Sequence, residues 1–107
     1  GPMLGQAHHF LKFNKGKSTY SEERYHKEAE RIYNVMNTKL KDSKYLAGDE
    51  YTIADIASWP WVARFEWHQI DIKKYEHIAD WYTNISNREA VQKGYDVPSI
   101  GASIPKI

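Results

Sequence analysis

The stretch "YTIADIASWPWVA", residues 51–63, constrains the fold more than any other part of the chain. Thr52 and Asp55 stand three residues apart at the head of a run built from Ile53, Ala54, Ile56, Ala57, Trp59, Pro60, Trp61, Val62 and Ala63. That spacing is a capping box. The Thr52 hydroxyl accepts from the Asp55 N–H, and the Asp55 carboxylate reaches back to the Thr52 N–H, so two orphan donors of a helix start are satisfied together. Tyr51 and Ile56 take the positions of a hydrophobic staple. With few polar interruptions the helix leaves no face for water and is expected to be the buried central element, kinked at Pro60. A carboxylate committed to a cap is a poor acid or base, so Asp55 reads as structural.

Size bounds what can surround that helix. A chain of 107 residues forms one domain and buries about 60–70% of its unfolded surface. Aromatics make up 14% of it, with four Trp and eight Tyr, which points to a core of large side chains or to apolar surface kept for a partner. Net charge is +1, with no run of like charges to track a phosphate backbone, so nucleic acid is not an expected partner. The absence of cysteine excludes disulfides, thiolate nucleophiles and zinc–thiolate sites. No segment reaches the roughly 18 apolar residues of a membrane span and no charged-then-apolar leader opens the chain, so no membrane association and a cytoplasmic location are expected.

Helical periodicity recurs along the rest of the sequence. Leu4, Ala7, His8 and Leu11 predict a short helix within residues 3–13, broken by "NKGKS". Thr19 with Glu22, or Ser21, is the expected cap of a long amphipathic helix to about Lys41, with Tyr25, Ala29, Ile32, Tyr33, Met36 and Leu40 on its apolar stripe. Ile78, Trp81, Tyr82 and Ile85 mark another helix. A further short one is expected over residues 88–94, started by Ser86 or Asn87 and stopped at Gly94. No run alternates apolar and polar residues, so the fold class is all-α, with a tail over 99–107 that wraps the surface or frays.

Five histidines raise the question of a metal. His8 and His9 are adjacent and point about 100° apart on a helix, and no His-x-x-x-His pair occurs, so no metal site is expected. On residues alone Arg24 reads as a surface cation paired with Glu28 one helical turn on.

The segments "GPMLGQAHHF" (1–10), "YSEERYHKEAERIYNV" (20–35), "YLAGDEYTIADIASWPWV" (45–62) and "NREAVQKGY" (87–95) together resemble the C-terminal helical domain of nu-class glutathione transferases, bacterial enzymes with disulfide-bond oxidoreductase activity. The resemblance runs to about Pro98. It implies a helical bundle around the capped helix, residues 1–98, entered partway along its first helix and lacking the thioredoxin-like N-terminal domain that binds glutathione and polarises its thiol. It implies that Arg24, in the "ERY" of the long helix, binds a glutathione carboxylate; His9 and Phe10, for which a packed or solvated role is the alternative, and Tyr20, which flanks Arg24, are the candidates for the pocket of the second substrate. No catalytic residue is expected in this chain. Glutathione is then a co-substrate of the intact enzyme, and the isolated chain is expected to be inactive and to form a homo-oligomer through apolar surface around Leu4, Phe10, Tyr25 and residues 59–65. A non-catalytic glutathione transferase-like interaction module is the alternative. Glu89 departs from the family's usual proline, a change that a helix N-terminus tolerates.

Overall fold

A computed structural model describes residues 1–98, 101 and 103–107. Helix α1 (Pro2–Ala7) runs without a break into a π-helical segment (His8–Phe13), and α2 (Thr19–Asp42), α3 (Ile53–Val62), α4 (Glu76–Ser86) and α5 (Glu89–Tyr95) follow, with a 3-10 turn at Ile72–Lys74. Among the described residues no strand forms; the nearest approach is a single bridge between Tyr45 and Gly48, where Gly48 at φ +141° adopts a conformation that side chains disfavour. The chain is all-α.

Each helix start solves its donor problem differently. In α2 the cap is Ser18, not Thr19 or Ser21: Ser18 is extended at φ −152° and its hydroxyl accepts from the Ser21 N–H, while Thr19 is already helical. Glu22 accepts from the Gly16 N–H at 2.8 Å and so ties the "NKGKS" link to the helix. Helix α4 has no side-chain acceptor at its own N-cap. Asn37 of α2 supplies one, its Oδ1 accepting from the His77 and Ile78 N–H groups at 3.0 and 3.1 Å. Helix α5 starts after Arg88 with no side-chain cap, because Ser86 donates to the Tyr82 carbonyl instead, and it ends at Tyr95, one residue past Gly94.

The capping box of α3 forms as the sequence predicts, and Asp55 does more than close it. Its Oδ2 accepts from the Thr52 N–H at 3.0 Å, while Oδ1 accepts from the Leu46 N–H at 3.0 Å and the Trp81 indole N–H at 2.9 Å. The Thr52 hydroxyl also accepts from the Ala54 N–H at 3.2 Å. One fully buried carboxylate thus joins α3, the loop before it and α4.

Helix α3 is not enclosed on all sides. Asp55, Trp59 and Val62 are buried, but Ile53 is 81% and Ile56 52% exposed, and Ala57 and Pro60 face outward with them. Ten residues make under three turns, so one face meets α4 and the rest of the bundle and the opposite face is left bare. The apolar surface accordingly differs from the sequence expectation. Leu4, Trp59 and Phe65 are buried and Phe10 and Tyr25 half-buried; the exposed large apolar side chains include Met3, Phe13, Tyr20, Val35, Ile53, Ile56 and Val97.

The core gathers Tyr33 of α2, Trp59 and Val62 of α3, Ile72, and Ile78, Trp81, Tyr82 and Ile85 of α4. Trp59 stacks on Tyr82 at 5.3 Å between centroids and donates its indole N–H to the Tyr82 carbonyl, which confirms its packing role. Past α5 the tail docks where it is described: the Tyr82 hydroxyl donates to the Pro105 carbonyl at 2.6 Å, and Ile104 packs against the core. Residues 99, 100 and 102 of the expected tail lie outside the described residues.

Candidate functional site

Arg24 sits one turn into α2, on the side away from the core stripe of Ala29, Tyr33 and Leu40. Its expected partner is engaged elsewhere. Glu28 pairs with Arg31 through two hydrogen bonds of 2.9 and 2.6 Å, and this bond holds the Glu28 carboxyl below its ordinary range. Among the described residues no carboxylate lies within salt-bridge distance of the Arg24 guanidinium. The neighbouring Tyr25 phenol, and then that of Tyr20, moves its pKa up from the usual guanidinium value, so Arg24 is a permanent cation. Its guanidinium carbon stands 5.8 Å from the Tyr25 ring centre.

An open concavity of about 510 Å³ surrounds this cation, lined by Met3 of α1 and by Tyr20, Glu23, Arg24, Tyr25, Lys27, Glu28 and Arg31 of α2. With Arg31 neutralised by Glu28, Arg24 and Lys27 face the single carboxylate of Glu23, and the wall is left electropositive. Such a surface suits an anion with room beside it for an apolar group against Met3 and Tyr20, and a guanidinium offers a carboxylate two parallel donors.

The sequence-selected residues divide around this wall. Arg24 and the 73% exposed Tyr20 line it together. Phe10 stands behind it, its ring parallel to that of Tyr25 at 5.5 Å. His9 is exposed, stacks edge-on to Phe10 and has Asn14 at 3.4 Å from its ring, and it does not line the concavity. Met3, Lys27 and Arg31 were not legible as wall residues. Lys27 and Arg31 lie at i+3 and i+7 from Arg24 along α2, a spacing that only a known neighbouring helix, here α1 with Met3, turns into a cavity.

A second group escaped the sequence entirely. His68, in the connection after α3, is fully buried between the Tyr33 hydroxyl at 2.8 Å and the His8 ring at 2.7 Å. Among the described residues no cluster of three or more His, Cys, Asp or Glu side chains is placed to hold a metal ion.

The sequence matches the glutathione S-transferase C-terminal domain family over residues 2–89. The chain belongs to that family. It is 43% identical over 90 residues to the disulfide-bond oxidoreductase YfcG of Escherichia coli K12, covering 84% of this chain and 42% of that protein. It is 35% identical over 105 residues to YghU, a second disulfide-bond oxidoreductase of the same organism, covering 87% and 35%. Among solved structures, the glutathione transferase BgramDRAFT_1843 of Burkholderia graminis, with two glutathione molecules bound per subunit, superposes with a TM-score of 0.83 at 31% identity over 94% of this chain and 45% of that one. Ure2p in complex with glutathione gives 0.77 at 34% identity over 86% and 44%. The glutathione transferase domain described here therefore spans less than half the length of these relatives. No helix among its described residues is long and apolar enough to cross a membrane.

Proposed function

We propose that the domain is the helical half of a glutathione-dependent disulfide oxidoreductase or transferase, and that Arg24 binds a glutathione carboxylate beside a second-substrate pocket edged by Tyr20, Phe10 and His9. The observation that carries this reading is the guanidinium left without a carboxylate on an electropositive wall, while Arg31, two turns along the same helix, is paired. A bidentate ion pair there would fix one end of glutathione and leave the thiol to be positioned by the thioredoxin-like half. Activation of that thiol needs a hydroxyl or amide donor from the same half, so the 107-residue chain alone is expected to be inactive. Turnover of a model electrophile and of a glutathione-reducible disulfide checks this. Rates at the buffer level are expected from the isolated chain, and rates clearly above buffer would place the activating group within it.

Self-association belongs to the same reading. Ile53, Ile56 and Pro60 on the bare face of α3 continue into a groove against Val91 and Val97, with Arg64 and Arg88 at its edges. This surface suits the thioredoxin-like half or a second copy, and in the isolated chain it is uncovered. Light scattering over a dilution series is expected to show concentration-dependent assembly that Ile56→Lys weakens. A monodisperse monomer at high concentration would mean that the face is self-sufficient. The alternative reading, a non-catalytic interaction module, uses this same apolar groove, and it would be favoured by an absence of turnover in a protein carrying both halves.

A further inference from the structure

The Tyr33, His68 and His8 side chains form one hydrogen-bonded line through three elements. Tyr33 of α2 has no exposed surface, and its hydroxyl lies 2.8 Å from His68 Nδ1. His68 Nε2 lies 2.7 Å from His8 Nε2, at the junction of α1 and the π-helical segment. Counting hydrogens fixes the direction of the line. The Tyr33 hydroxyl hydrogen is buried with His68 as its one side-chain partner among the described residues, so it must donate to Nδ1. His68 then carries its own hydrogen on Nε2 and donates to His8 Nε2, which leaves His8 as the Nδ1–H tautomer. In this arrangement every buried donor has an acceptor.

A proton added to the line cannot keep that property. If it goes onto His8 Nε2, two hydrogens face each other across 2.7 Å unless His68 shifts its own hydrogen to Nδ1, and the buried Tyr33 hydroxyl hydrogen then loses its acceptor. If His68 takes the proton, both of its nitrogens become donors, and the Tyr33 hydroxyl must turn its hydrogen away in the same manner. We propose that this line is a proton-sensitive latch, which holds the N-terminal helix against the bundle at neutral pH and releases it in acid.

The surroundings reinforce the latch. Burial, and then the neighbouring His8, pulls His68 down to about 3, and burial followed by the Arg64 charge lowers His8. His8 lies against the Trp61 and Trp67 indoles, whose faces would welcome a cation, but Arg64 is 4.6 Å and Lys12 5.5 Å from the Trp67 ring centre already. On the α2 side Tyr75 packs on Tyr33, and beyond His68 the backbone carbonyl of Gln69 bonds to His26, which lies 3.3 Å from Glu30. His26 is thus a separate imidazole with its own carboxylate. Both latch histidines bind a proton less readily when docked than when free, so docking is at full strength above about pH 6.5, the free imidazole value, and weakens as pH falls towards the docked values. What it secures is the burial of Leu4, Ala7 and Leu11.

Nuclear magnetic resonance of the 107-residue chain tests the latch. Long-range proton–nitrogen correlations at pH 7.5 are expected to show His68 protonated on Nε2 and His8 on Nδ1. Between pH 7 and 4.5, amide protection of residues 7–11, corrected for intrinsic exchange, is expected to fall at least tenfold more than that of Tyr33 and Ile85. His8→Phe, which fills the space and removes the proton site, is expected to abolish this local pH dependence. His8 titrating at 6.5 or above, protection that falls uniformly through the domain, or an unchanged local loss in His8→Phe would each overturn the proposal. The first two are read on the natural sequence whether or not the variant folds.

Discussion

Asp55→Ala is expected to remove about 3–5 kcal/mol of folding stability, several times the effect of Thr52→Ala. Three donors converge on this carboxylate inside the fold, the N–H groups of Leu46 and Thr52 and the indole of Trp81. Each one left without an acceptor costs about 1–3 kcal/mol, against a total of roughly 5–15 kcal/mol for a domain of this size. The alanine variant should therefore be largely unfolded or show a strongly lowered urea midpoint. Thr52→Ala loses an acceptor that serves donors at the rim of the same helix, and about 1 kcal/mol is expected. Asp55→Asn separates the contributions: its oxygen can keep the two bonds made by Oδ1, while its amide opposes the Thr52 N–H, so an intermediate midpoint is expected. If Asp55→Ala proved no worse than Thr52→Ala, the links to Leu46 and Trp81 would be energetically idle.

The contrast between those two residues marks what the sequence could convey. Local geometry was legible: the three-residue spacing of Thr52 and Asp55 located a helix start, and the stripe through Ala29, Tyr33 and Leu40 located the buried side of α2. Long-range partners were not. Nothing near Asp55 in sequence signals Trp81, and nothing near Ile78 signals that Asn37 caps its helix from forty residues away. Composition misled at α3, because an apolar run reads as enclosed when half of its circumference is kept bare. The pairing of His8 with His68 was hidden for the same reason as Asn37, since a lone histidine in a polar link carries no sign of its partner. At the candidate site the "ERY" segment singles out Arg24 through its resemblance to a family, whereas helical spacing alone points to Glu28 as its partner. The structure gives Glu28 to Arg31 at i+3 instead.

Arg24→Ala is expected to weaken glutathione binding about 10- to 100-fold in the protein carrying both halves, because a charge-assisted bond to a carboxylate contributes about 1.5–3 kcal/mol. Arg24→Lys should recover part of the loss, since an ammonium keeps the charge without the planar fork. The double variant Glu28→Ala, Arg31→Ala supplies the control: it removes an ion pair that is neutral in itself from the same wall, and it should alter affinity by less than twofold. Isothermal titration with glutathione on these variants, at low and at physiological salt, is the most direct measurement. A loss confined to Arg24→Ala and deepest at low salt is the expected result. Equal affinities for Arg24→Ala and the Glu28→Ala, Arg31→Ala double variant would contradict the assignment of this wall to glutathione.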